Sequence, residues 1–149
     1  MSKDNQSDKL KTREQFEKAH WGDEFSYYFS GNTLVIYGDI DVSQRNSHSF
    51  IIDYDGHIHI KKSEQYKEYA GNITNDKARS SITVISGGNL TIDGDVKNRV
   101  NLYAAGDITI NGFVQGQAAG PNNAVNIIRA GGNVTINGKD ENGTSVVDS

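Results

Sequence analysis

Gly88-Asn89-Leu90-Thr91-Ile92-Asp93-Gly94 returns as Gly106-Asp107-Ile108-Thr109-Ile110-Asn111-Gly112, and again as Gly132-Asn133-Val134-Thr135-Ile136-Asn137-Gly138. A more divergent copy reads Asn32-Thr33-Leu34-Val35-Ile36-Tyr37-Gly38, and a fragment stands at Gly56-His57-Ile58-His59-Ile60. Gly88 and Gly106 are 18 residues apart. A glycine-bounded strand recurring at a fixed step is the sequence mark of a solenoid, in which each coil stacks on the last. Alternate strand residues face opposite ways. Leu90/Ile92, Ile108/Ile110 and Val134/Ile136 are therefore expected inside, with Leu34/Ile36 and Ile58/Ile60. A second face supplies Phe50/Ile52, Ile82/Val84 and Val100/Leu102. In the last coil Val125, Ile127 and Ile128 cannot all face inward without a bulge, so its register stays open. The corner glycines are read as supplying φ > 0, with the neighbouring Asp or Asn satisfying local backbone groups.

The expected fold class is all-β, a short solenoid with an N-terminal capping α-helix. Residues 1–8 are polar, without a period, and read as disordered. Residues 9–21 read as a helix that carries Leu10, Phe16, Ala19 and His20 near one face. Thr12 and Gln15 suit a capping box at its start. A solenoid leaves an apolar end that needs a cover, and this helix, with Trp21, Phe25 and Phe29, is assigned to it. Residues 9–138 form one domain, and 139–149 a polar C-terminal tail. The step lengthens between Gly56 and Gly88, where 63–77 is excess, and between Gly106 and Gly132, where 116–123 is a loop by composition. Insertions at solenoid corners are common places for function.

Cysteine is absent, which excludes disulfides, zinc thiolates and cysteine nucleophiles. The net charge of −4 has the wrong sign for holding phosphates, so no nucleic-acid partner is expected. No apolar stretch resembles a leader or a spanning helix, so the expectation is a cytoplasmic protein without membrane insertion. No cofactor is expected. The Asn-x-Thr phrases, such as Asn89-Leu90-Thr91, are by-products of the repeat.

Residues 79–131 resemble the C-terminal domain of the septum-site-determining protein MinC. The resemblance is carried by Arg79-Ser80-Ser81-Ile82, Gly88 to Val96, Ala104 to Gly116, and Ala118-Ala119-Gly120 before Asn123-Ala124-Val125. It implies a right-handed β-helix of triangular section that dimerises and binds the ATPase MinD. Bactofilin-like polymer-forming proteins have related coils. Arg79 and Ser80 match the start of the family's partner-binding Arg-Ser-Gly-Gln turn, whereas Ser81 and Ile82 stand where the family has Gly and Gln. The family's separate N-terminal division-inhibiting domain has no counterpart in the first 78 residues.

Enzyme chemistry finds little to work with. Asp39, Asp93, Asp95 and Asp107 recur, but at turn positions where Asp is expected structurally. No nucleophile-elbow or phosphate-loop phrase occurs. His57 and His59 share an outward strand face and are weak metal candidates, because spacing fixes no third ligand. Thr91, Thr109 and Thr135 form an outward column, which is ordinary strand composition.

Counting back from the corner glycines, Ile85 and Tyr103 share one outward position, while Ile51 and Ile127 share the next. Such a stripe reads as an interface unless the 63–77 or 116–123 segment folds over it. The expected function is a non-catalytic module for homodimerisation and binding another protein, through Arg79, Ser80, Ile85, Tyr103 and Ile127. Division or cytoskeletal machinery is the partner class the resemblance implies, and a phage-encoded inhibitor of a host complex fits equally. The alternatives are a filament-forming structural protein and a carbohydrate-binding or carbohydrate-processing β-helix.

Overall fold

The structure is a computed structural model that describes residues 10–18, 26–37, 40–41, 50–62, 71–74, 82–97, 100–115, 126–138 and 145–148. The elements in chain order begin with helix α1 (Arg13–Lys18), β1 (Ser26–Ser30), β2 (Thr33–Tyr37), β3 (Ile40–Asp41), β4 (Phe50–Tyr54) and β5 (His57–Lys61). β6 (Ile73–Thr74), β7 (Ile82–Ser86), β8 (Leu90–Ile92), β9 (Val96–Lys97) and β10 (Val100–Ala104) follow. β11 (Ile108–Ile110), β12 (Val114–Gln115), β13 (Asn126–Ala130), β14 (Val134–Ile136) and β15 (Ser145–Asp148) complete the described elements.

The fold is all-β, and its strands form three sheets, ordered β1-β2-β5-β8-β11-β14, β15-β13-β10-β7-β4 and β12-β9-β6-β3. From β4 to β12 the chain visits the five-, six- and four-stranded sheets in turn, then repeats the round. Every described strand pair is parallel except β1 with β2. Ile58, Leu90, Ile108 and Val134 stand in one register column, and Ile60, Ile92, Ile110 and Ile136 in another. The repeated phrases therefore stack on one another, and the longer steps in sequence leave the register intact.

These columns meet Ile52, Val84, Leu102 and Ile128 of the five-stranded sheet, and Ile73, Val96 and Val114 of the four-stranded sheet, in one apolar cluster. Full burial of each such aliphatic side chain stabilises by roughly 1.5–3 kcal/mol. The third sheet has no counterpart in the period-two reading. Its strands are two residues long, and β6, β9 and β12 carry one inward side chain each, so they leave no alternation to detect.

Helix α1 is shorter than the expected 9–21, since Leu10 to Thr12 are not helical and residues 9 and 19–21 lie outside the described residues. Its start is the expected capping box. The Thr12 amide donates to Gln15 Oε1 at 3.1 Å, and the Gln15 amide to Thr12 Oγ1 at 3.2 Å. Arg13 lies 4.7 Å from the Phe29 ring centroid, and Phe29 lies 5.4 Å from Tyr54. The C-terminal residues also depart from expectation, because Ser145–Asp148 is a strand parallel to β13. Val146 and Val147 carry strand propensity that a reading of the tail as polar overlooked.

The corner glycines differ from expectation in their reason. Among the described residues only Gly31 and Gly71 have positive φ, 59° and 79°. Gly88, Gly106 and Gly132 instead form a backbone ladder, with amide-to-carbonyl distances of 2.9 and 2.8 Å along Gly106→Gly88 and Gly132→Gly106. What these corners need from glycine is close approach between successive rounds.

Candidate interaction site

The outward face of the five-stranded sheet carries two register columns. One reads Asp53, Ile85, Tyr103, Arg129, and the other Ile51, Thr83, Asn101, Ile127. Ile51 is 46% exposed and Ile127 half-buried. Thr83 and Asn101 stand between them, with Asn101 Nδ2 3.3 Å from Thr83 Oγ1. The expected continuous apolar stripe is thus broken into two apolar ends with a polar middle.

Ile85 and Tyr103 are neighbours in the first column, but Ile85 is only 9% exposed. Together with Leu10, Ala105, Arg129 and Gly131 they line an open groove of about 510 Å³. Leu10 comes from the segment before α1, neither of the two segments expected to cover this face. That segment is tied down beside the groove: the Asp55 amide donates to the Lys11 carbonyl at 2.9 Å, and Lys11 Nζ lies 3.0 Å from Asp53 Oδ1. Lys11 is part-exposed, so this ion pair is screened and orients more than it stabilises.

Of the expected site residues, Ile85 and Tyr103 share the groove, and Ile127 stands in the adjacent column. Arg79 and Ser80 lie outside the described residues, as do 63–70, 75–77 and 116–123. The same count back from the corner glycines that found Ile85 and Tyr103 reaches Asp53 and Arg129, so those two were legible. Leu10 was not, because nothing local marks a residue that meets a distant sheet.

Among the described residues Asn72, Asn89, Asp95 and Asp107 are occupied between rounds. Asn89 Oδ1 accepts from the Asp107 amide, and Asp107 Oδ1 from the Asn133 amide, both at 2.9 Å. At another corner Asn72 accepts from the Asp95 amide at 2.8 Å and Asp95 from the Phe113 amide at 3.0 Å. His57 takes the same place in the first ladder, its Nδ1 accepting from the Asn89 amide at 2.9 Å. That bond needs the neutral ring with the proton on Nε2.

His59 Nε2 instead meets Asp93 Oδ1 at 2.8 Å. The two histidines thus serve different structural bonds. Among the described residues no group of three His, Cys, Asp or Glu is placed to hold a metal ion. Thr91, Thr109 and Thr135 do form one register column, outward as expected.

Burial pushes the Asp93 carboxyl up. The His59 hydrogen bond, the Lys62 amide, the His59 charge and a hydrogen bond with Asn111 outweigh burial and hold it below its ordinary 3.8. A depressed folded value means that Asp93 stabilises fully above 3.8, and that this contribution is lost as pH falls through the lower folded value. Asp93→Asn is therefore expected to lower the melting temperature at neutral pH. In melts across an acid titration, the gap to wild type should close below 3.8.

No helix among the described residues is long and apolar enough to cross a membrane. The chain matches no protein-family model, and neither curated proteins nor solved structures give a significant match.

Proposed function

We propose that the protein is a non-catalytic β-helix, its N-terminal end covered by α1 and the β1–β2 hairpin, that self-associates and binds another protein through the five-stranded sheet. The fixed order in which the chain visits three parallel sheets supports the β-helix. The contacts of Arg13, Phe29 and Tyr54 support the cover. The observation that carries the function is the outward apolar groove at Ile85 and Tyr103, beside the exposed Ile51 and half-buried Ile127. Apolar surface on an outward sheet face is characteristic of interfaces. Among the described residues Asp95 and Asp107 are occupied in turn ladders and Asp93 by His59 and the Lys62 amide, which speaks against a catalytic pair. The MinC-like phrases support division or cytoskeletal machinery as the partner class, and an inhibitor of such a complex uses the same surface.

Light scattering over a concentration series tests the reading. The wild type is expected to give a discrete dimer, and Tyr103→Asp with Ile127→Asp a folded monomer with an unchanged circular-dichroism spectrum. A double variant that keeps the wild-type mass would place the dimer surface elsewhere. Large species that grow with concentration would favour the filament-forming alternative, in which β14 and β12, edge strands among the described residues, pair with another copy.

A further inference from the structure

We propose that the groove over Ile85 and Tyr103 is filled by a second copy of this chain, related by a two-fold axis that runs along the strands between β7 and β10, with Arg129 of each copy meeting Asp55 of the other. This deepens the proposed self-association and rests on it. A two-fold interface needs a surface complementary to itself. An axis along the strands keeps each register column level and reverses the strand order, so β4 faces β13 and β7 faces β10.

The columns of this face read alike from either end. In one, Ile51 and Ile127 hold the ends, with Thr83 and Asn101 between them. The axis therefore sets apolar on apolar and polar on polar. In the next, Ile85 and Tyr103 hold the middle and face one another. An axis across the strands fits worse: centred on the groove column it stacks Arg129 on Arg129, and centred between the columns it lays Ile85 over Thr83. Aligned strands also suit the packing of two twisted sheets face to face.

Charge and shape follow the same order. Asp53 is paired with Lys11, which leaves the exposed Asp55, one residue past β4, as the carboxylate without an ion pair at that end. Arg129 is exposed at the β13 end and makes no ion pair among the described residues. Asp55 stands about 7 Å along the strand from the column of Arg129, and facing sheets lie about 10 Å apart, so the two side chains can meet across the interface. Leu10 rises at the β4 end beside Lys11, whereas Ala130 and Gly131 at the β13 end carry little bulk. The raised end of one copy thus lies over the low end of the other. Charge pairs at such a rim chiefly fix register and exclude wrong arrangements.

The chain has no cysteine, so one substitution gives one attachment point. Ile51→Cys and Ile127→Cys proteins are prepared separately, mixed, and treated with a short bismaleimide. The mixture is expected to give a covalent dimer, and either protein alone to give little. In a second series, Asp148, the register neighbour of Arg129 on β15, is changed to Asn throughout so that it does not compete. There Arg129→Asp and Asp55→Arg should each raise the dimer Kd about tenfold, since every dimer holds the contact twice, and both changes in one chain should restore it. Circular dichroism checks that each variant is folded. Efficient cross-linking of Ile51→Cys with itself, or a Kd indifferent to the charge exchange, would overturn the proposal. A wild type that dimerises while the mixture stays uncoupled would overturn the two-fold and leave the proposed function standing. A wild type that stays monomeric at every concentration would overturn both self-association and the two-fold, and leave the groove to a different protein.

Discussion

Asn126→Ala is expected to destabilise the protein by about 3 kcal/mol, read as a fall in the denaturant midpoint with unchanged slope. Asn126 is fully buried at an inward position, beside Val100 and Ile128 of the apolar cluster and in register with Ser145 on β15. Its Oδ1 accepts from the Val100 amide at 3.0 Å, and its Nδ2 donates to the Gln115 carbonyl at 2.9 Å. One carboxamide thereby joins the end of β12 to the start of β10, across the point where the chain departs for residues 116–125. Removing it leaves a donor and an acceptor without partners, and each orphaned buried group costs about 1–3 kcal/mol. Asn126→Asp should cost more than Asn126→Ala, since it trades the donor for a charge beside a carbonyl. Were Asn126→Ala as stable as wild type, water would have to be serving both groups.

Gly112→Ala is expected to cost about 3 kcal/mol, the upper end for overpacking. A methyl group there would fall on the Gly94 carbonyl and on the Asp95 carboxylate that accepts from the Phe113 amide. The obstacle is largely backbone, and backbone in a stacked ladder has little room to yield. The same substitution often stabilises by about 0.4–1 kcal/mol where the conformation suits alanine, because it stiffens the unfolded chain. Gly31 supplies the contrast. It turns the β1–β2 hairpin with φ 59°, and a Cβ there meets nothing within 4 Å. Gly31→Asn should be nearly neutral, because Asn tolerates the left-handed region, whereas Gly112→Asn should not. Thermal melts of the pair separate the two reasons for glycine; equal losses would show that crowding does not govern the corners.

Much of the core was legible in the repeat. Leu90, Ile92, Ile108, Ile110, Val100 and Leu102 are buried as alternation required. The capping box at Thr12 and Gln15 was also legible, since its partners are three residues apart. The candidate site was legible in half. Ile85 and Tyr103 followed from the register, but the polar interruption at Thr83 and Asn101 needed the count carried across every round.

The repeated phrase by itself determined which residues stack in register and which of them face the core, because period two and a recurring glycine corner are local properties of the chain. Tertiary structure alone decided that a polar Asn126 sits among the inward aliphatics, that the corner glycines answer to crowding, and that Leu10 crosses onto the Ile85 face. Those outcomes depend on atoms brought together from segments far apart in sequence, and hydrogen-bond satisfaction and steric exclusion act between neighbours in space.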